Sequence, residues 1–228
     1  MPKTRHTRLL GTALIGLMLP LQALAHGDVS PQPINTDALP DVGEEWLTEN
    51  PYRAAAVGDE VWAAAVQIGD SGFNQNCARC HGLGAVSGGL APDLRYLEAE
   101  EYGDEWFMER FQHGYTQDGT TKMPAFGEVL GQKAGWAIRT YIETRPDDGA
   151  LDDHATRLKA ILTELESGSG DGAALKAELT EIAATIPTAS GAPVADSAVS
   201  RAAHALSEDN ASFKHAAELL TIGLSAAE

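Results

Sequence analysis

The pentapeptide Cys77-Ala78-Arg79-Cys80-His81 constrains this chain more than any other feature, because it holds the only two cysteines in 228 residues. Two thiols separated by two residues lie on one side of a helical turn, and a histidine follows at once. Three chemistries suit that spacing: a redox dithiol, half of a zinc site, or covalent attachment of a haem with the histidine beneath its iron. A zinc site needs two further ligands at suitable spacing, and no other cysteine exists. A thioredoxin-like dithiol needs a βαβ setting, whereas residues 59–76 have helical spacing, with Val61, Ala65 and Ile68 on one face. The helical lead-in and the adjoining His81 favour thioethers from Cys77 and Cys80 to the vinyl groups of one haem, with His81 as an axial ligand to its iron.

The chain opens with a basic head, an apolar run over residues 9–21, and Ala23-Leu24-Ala25. These are the parts of a secretory signal peptide over residues 1–25, with cleavage ahead of His26; an uncleaved anchor is the alternative. The run is too short to span a bilayer, and no later segment approaches ~18 uninterrupted apolar residues. With 33 acidic residues against 16 basic ones the formal charge is −17. Loss of Lys3, Arg5 and Arg8 with the signal would make it more negative. Such a surface does not track nucleic-acid phosphates or anionic lipid, and it steers toward a positively charged partner.

Residues 26–58 are rich in Pro, Asp and Gly and read as an irregular arm anchored by Trp46 and Tyr52. Residues 59–148 contain what one small all-helical domain needs. The helix that runs into Cys77 is followed by a glycine-bearing loop and then by a helix over 104–113 with Gly114 just past its end. A second glycine-bearing loop leads to Met123-Pro124, and a last helix spans about 131–144. Residues 149–228 form an alanine- and leucine-rich extension with helical stretches near 151–166, 172–186, 196–207 and 210–226. Leu158, Ile161, Leu162 and Leu165 repeat at helical spacing, as do Leu175, Leu179, Ile182 and Ile186; two helical hairpins suit the pattern.

Three residues compete for the second axial position. Met108 lies inside an amphipathic stretch, where a core thioether is the default. His113 stands at a helix end, where histidines usually cap. Met123 sits in a loop before Pro124, from which a sulfur can be aimed across a haem plane, and it is the expected ligand. An open position is the remaining alternative. Pro92, in a rigid segment, can offer a carbonyl to the Nδ1–H of His81 and so fix its tautomer. Gly69 permits close helix approach and Phe73 can cover the haem edge, with Trp136, Ile138 and Tyr141 as partners on the last helix.

At this point the chain resembles a class I cytochrome c. The resemblance rests on Gly69-x3-Phe73-x3-Cys77-x2-Cys80-His81, Pro92-Asp93-Leu94, Met123-Pro124-x-Phe126 and the helix from Gly135 to Ile142. The flanks His26-Gly27-Asp28-Val29, Glu49-Asn50-Pro51-Tyr52-Arg53 and Ala91-Pro92-Asp93-Leu94-Arg95 are similar to those of the periplasmic c-550 cytochromes of quinoprotein ethanol oxidation. The resemblance implies an all-α class I cytochrome c fold, to which composition and periodicity add the irregular N-terminal arm and the C-terminal α-helical extension. It implies one covalent haem c held by Cys77 and Cys80, iron ligands His81 and Met123, and a pocket including Phe73, Pro92, Leu94 and Phe126. It further implies a periplasmic one-electron carrier, not an enzyme, taking electrons from a pyrroloquinoline-quinone-dependent alcohol dehydrogenase and passing them toward a terminal oxidase. The extension at 149–228 departs from that family pattern.

Two other functions use the same residues. A haem enzyme or gas sensor needs an open or labile sixth position, and a docking subunit would use the helical tail to deliver the haem domain to a partner. His26, as a mature N-terminus, lacks a second histidine to complete a copper site. His154, His204 and His215 form no ligand-spaced cluster. The aspartates of residues 147–153 lack the alternating ligands and terminal Glu of a calcium loop and read as an acidic linker.

Overall fold

The computed structural model describes residues 31–226 apart from 196 and 207–209. The expected signal peptide and His26 lie outside the described residues. Among the described residues no helix is long and apolar enough to cross a membrane.

Helix α1 (Ala54–Asn76) is broken at Gly58, whose φ is 78°, so its regular part begins where the periodicity does. It leads through Cys77 into the short α2 (Ala78–His81). Helix α3 (Glu101–His113) starts three residues earlier than expected and stops at Gly114, as expected. The next segment, expected as a loop, is a hairpin of β1 (Tyr115–Gln117) and β2 (Thr120–Met123). Asp118 and Gly119 at its tip both have positive φ, 50° and 73°, and a turn of that hand matches the twist of paired strands. The Asp-Gly pair was the sequence signal for it. Helix α4 (Gly127–Glu143) closes this part of the chain.

The architecture is all-α, with this hairpin as its one sheet among the described residues. Helices α1 and α4 cross closely because Gly69 lies at the contact. A Cβ on Gly69 would sit 2.0 Å from the Ala137 carbonyl oxygen and 2.8 Å from the Tyr141 Cβ. One turn along, Phe73 meets Tyr141 with ring centroids 5.5 Å apart. Gly69→Val is therefore expected to push the helices apart and cost at least the 1–3 kcal/mol typical of overpacking, read as a lower urea midpoint of the haem-loaded protein. An unchanged midpoint would show that the crossing yields without penalty.

The arm over residues 31–53 has no regular elements, yet it is anchored. Tyr52 is fully buried with its hydroxyl donating to the Pro40 carbonyl at 3.0 Å, and Trp46 packs against Phe111. Leu39, not singled out from sequence, is a further buried anchor.

Beyond α4 the chain forms α5 (Ala155–Ser167), α6 (Gly172–Thr185), α7 (Ala198–Ala205) and α8 (Asn210–Ala226). They enclose a second apolar core containing Leu158, Ile161, Leu165, Leu175, Leu179, Ile182 and Leu220; Leu162 lies at its edge. The packing departs from two separate hairpins: α8 lies against both α5 and α7, and α7 lies against α6. The apolar stripes of four short helices are covered better by one shared core than by two isolated pairs.

Candidate haem centre

The centre is built where α1 ends. The Cys77 amide still donates to the Phe73 carbonyl at 2.8 Å, and the His81 amide donates to the Cys77 carbonyl at 3.0 Å, so the motif is one extra helical turn. Gly82, with φ 81°, ends it; a Cβ there would lie 1.9 Å from the Val86 carbonyl oxygen, so only glycine lets the chain fold back this tightly.

Cys77 and Cys80 are free thiols, not joined to each other. Burial, helped by the neighbouring Cys80, pushes the Cys77 thiol up to about 12, so it is neutral at pH 7. No group of three or more His, Cys, Asp or Glu able to hold a metal ion occurs among the described residues. Burial holds the His81 imidazole below its usual range, against the opposing pull of the Pro92 carbonyl and Asp93. Its Nδ1 lies 2.9 Å from the Pro92 carbonyl oxygen, the contact expected from sequence. As the donor in that bond, Nδ1 leaves Nε2 with the lone pair available to iron. The adjoining loop carries apolar Leu83, Val86 and Leu90 at 78%, 49% and 70% exposure, surface that a flat apolar group would cover. Two unpaired thiols, an imidazole with one committed nitrogen and this apolar surface fit a covalently held haem.

The other candidate residues take distinct places. Phe73, Leu94 and Phe126 are buried in one core with Tyr141, and Phe126 stacks on Phe111 at 6.0 Å. Met123 ends β2, half-buried against that core and paired in register with Tyr115. Met108 is 3% exposed, with its methyl against Gly135, as a core thioether should be. His113 is exposed at the last position of α3. In the tail, His154 bonds Thr185 at the end of α6, and His204 bonds the Ser200 carbonyl one turn back.

Two features escaped sequence reasoning. Arg95 is 4% exposed and grips Asp93 through two parallel bonds, Nε to Oδ1 at 3.0 Å and Nη2 to Oδ2 at 2.8 Å. Burial alone would raise the Asp93 carboxyl; the bonds from Arg95 and the Ser87 amide outweigh it and hold the carboxyl below the usual range. Asp148, read from sequence as part of an acidic linker, lies 2.8 Å from the same guanidinium while remaining largely exposed. The Asp-x-Arg spacing was visible, but its burial was not. The second feature is a buried charge network. Asp104 Oδ1 accepts from Arg53 and Arg139 at 2.8 Å each, while Oδ2 accepts from the Asn50 amide at 2.8 Å. Glu143 accepts two further bonds from Arg53. The network ties the arm to α3 and α4 behind the core.

The family described as "Cytochrome C oxidase, cbb3-type, subunit III" matches residues 64–142. Among curated proteins, cytochrome c550 of Pseudomonas aeruginosa is 51% identical over 131 residues, 58% of this chain and 88% of that protein. Quinohemoprotein alcohol dehydrogenase ADH-IIG of Pseudomonas putida is 33% identical over 85 residues, 37% of this chain but only 11% of that protein. A cbb3-type cytochrome c oxidase subunit FixPc of Rhizobium leguminosarum bv. viciae is 31% identical over 124 residues, half of this chain and 42% of that protein. No solved structure matches. Identity of one residue in two across nearly the whole of a cytochrome c550, on an all-α fold, means that this chain belongs to the class I c-type cytochromes, electron-transfer proteins with a covalently bound haem c.

Proposed function

We propose that the protein is a periplasmic carrier that takes single electrons from a quinoprotein alcohol dehydrogenase and passes them toward a terminal oxidase. The observation that carries this reading is the 51% identity to cytochrome c550. The 33% identity to part of a quinohemoprotein alcohol dehydrogenase points to the same donor chemistry, and the likeness to cbb3-type oxidase subunits points to the acceptor side. The signal-peptide pattern at residues 1–25 supports export.

In this reading the Cys77 and Cys80 sulfurs would hold the haem through thioethers, and His81 and Met123 would ligate its iron. When bound, the haem iron supplies a one-electron ferrous–ferric couple. Donation from His81 Nδ1 to the Pro92 carbonyl holds the ring in one tautomer and one orientation. The neutral Met123 thioether favours the ferrous form and raises the potential relative to bis-histidine ligation. Phe73, Leu94 and Phe126, each at most 5% exposed, exclude water from the core behind the motif. The surplus of acidic side chains suits a brief encounter with a basic partner face and makes that encounter salt-dependent.

Stopped-flow mixing of the ferric protein with a purified quinoprotein alcohol dehydrogenase and ethanol tests the assignment. Reduction should be complete and fast, with a rate that falls steeply as salt rises. Reduction no faster than in controls lacking the dehydrogenase would refute this donor.

A further inference from the structure

Among the described residues, the C-terminal extension meets the haem domain at the end of α4 and at Ala99, in the segment that runs from Pro92 to α3. Residues 187–195, between α6 and α7, run along the end of α4 and the loop before α3. The Ala99 amide donates to the Ser190 carbonyl at 3.0 Å, and the Asp147 amide donates to the Pro187 carbonyl at 3.0 Å. Pro146 and Thr188 form an antiparallel bridge, and the Ala195 amide donates to the Thr144 carbonyl at 3.4 Å. Ser190 is 7% exposed; its hydroxyl donates to the Glu143 carbonyl and accepts from the Ala192 amide at 3.1 Å. Ala195 packs into the edge of the haem-domain core.

The residues held by this segment are the ones that fix the loop on the His81 side. Arg95 donates to the Pro146 carbonyl at 3.2 Å, pairs with Asp148 at 2.8 Å and grips Asp93, the neighbour of Pro92. Tyr96 donates to the other oxygen of Asp148 at 3.1 Å. Arg139 donates to the Leu97 and Glu98 carbonyls. A continuous chain of contacts thus runs from Ser190 through residues 143–148 and Arg95 to the carbonyl that accepts from His81. The P. aeruginosa cytochrome c550 aligns with only 58% of this chain while 88% of its own length is covered, so it is too short to hold a counterpart of the whole extension.

We propose that residues 187–195, together with Asp148, are a strap that positions the Pro92 carbonyl on His81 Nδ1 and thereby sets the reduction potential of the haem. Ser190 and Asp148 are positioning residues acting through Arg95 and the 92–99 loop. A firm bond from the imidazole Nδ1–H makes the ring a more basic ligand, and a more basic ligand favours ferric iron. Loosening the strap weakens that bond and raises the potential. Loss of the Asp148 charge acts in the same direction, because a nearby negative charge also favours the ferric state.

The strap rests on His81 being the iron ligand, and the test separates the two ideas. It uses the full-length, haem-loaded protein, with midpoint potential and thermal midpoint measured side by side. Ser190→Ala removes three hydrogen bonds, those to the Glu143 carbonyl and the Thr188 hydroxyl and that from the Ala192 amide, and no charge. Asp148→Asn removes an exposed charge, the second carboxylate on Arg95. Both should raise the potential while the low-spin spectrum is kept, and the double variant should raise it further. Ser225→Ala, whose hydroxyl bonds only the Thr221 carbonyl within α8, should leave the potential at the wild-type value. If Ser190→Ala fails to load haem, Thr188→Val, which removes the bond to the Ala192 carbonyl and no charge, takes its place and should also raise the potential. A lowered thermal midpoint with an unmoved or lowered potential overturns the strap and leaves the ligand reading standing. A wild-type low-spin spectrum in His81→Ala overturns the ligand reading, and the strap with it.

Discussion

Replacing Asp104 by alanine is expected to destabilise the haem-loaded protein by about 3–5 kcal/mol, the cost of breaking a buried ion pair by removing one partner. Asp104 is 0% exposed, and so is Arg139, which bonds it through Nε at 2.8 Å. Without the carboxylate, Arg139 keeps its bonds to the Leu97 and Glu98 carbonyls and a distant approach to Glu143 at 3.8 Å. Its charge would then stay buried without a close counter-ion, and the Asn50 amide would lose its acceptor. Arg53 would lose one of two anchors, and the arm would be held less firmly on the core. A comparison with Glu109→Ala isolates the effect of burial. Glu109 pairs with Arg110 at 2.6 Å but is 64% exposed, and its removal should change stability by no more than about 0.5 kcal/mol. Guanidinium titration of both variants reads the difference directly. Equal midpoints would show that the buried network contributes no more than a surface pair. The paired substitution Asp104→Leu with Arg139→Met should recover much of the loss, since a buried ion pair is often replaceable by apolar side chains of similar volume.

Replacing Met123 by alanine is expected to abolish the low-spin His/Met spectrum and lower the potential by a tenth of a volt or more, on the order expected where axial ligation alone spans about 0.8 V. The physical cause is the loss of a neutral sulfur that favours ferrous iron. The fold should survive, because Met123 is only half-buried at the end of a two-stranded hairpin. Met108→Leu and His113→Ala are the informative controls. The first changes a core side chain against Gly135, the second an exposed helix end, and both should keep the wild-type spectrum. A Met123→Ala protein with an unchanged spectrum would move the sixth ligand elsewhere, and loss of the spectrum in His113→Ala would say where. Rapid carbon monoxide binding should appear in the Met123 variant and be slow in the wild type.

Much of the fold was legible because its causes are local. The periodicity from Val61 to Ile68 marked α1, Gly114 marked the end of α3, and the spacing of Leu158, Ile161 and Leu165 marked α5. The hairpin at residues 115–123 was missed although its signal, the Asp118-Gly119 pair, was local too; its strands are short and mostly exposed, so no apolar alternation marks them. The four-helix tail was visible as four stretches, but its pairing was not. Helical spacing says which face is apolar and says nothing about which other face will cover it. The Pro92 contact with His81 could be anticipated because the two residues are only eleven apart.

What the sequence set out by itself is the proposed haem chemistry at Cys77, Cys80 and His81, since thioether formation and ligation would need only residue types at fixed spacing along one helical turn. It also determined the helical class of the chain, which follows from periodicity. The tertiary structure alone decided which charges are buried. Asp104 and Arg139 lie 35 residues apart, and Arg53 and Glu143 lie 90 apart, so neither partner marks the other in the sequence. It alone decided that an acidic stretch resembling a linker would give Asp148 to Arg95, and that the segment from Pro187 to Ala195 would return to the end of α4 and to Ala99. The reason is the same in each case. Contacts between distant segments are fixed by how the helices pack, and a side chain's environment is known only once the faces that enclose it are in place.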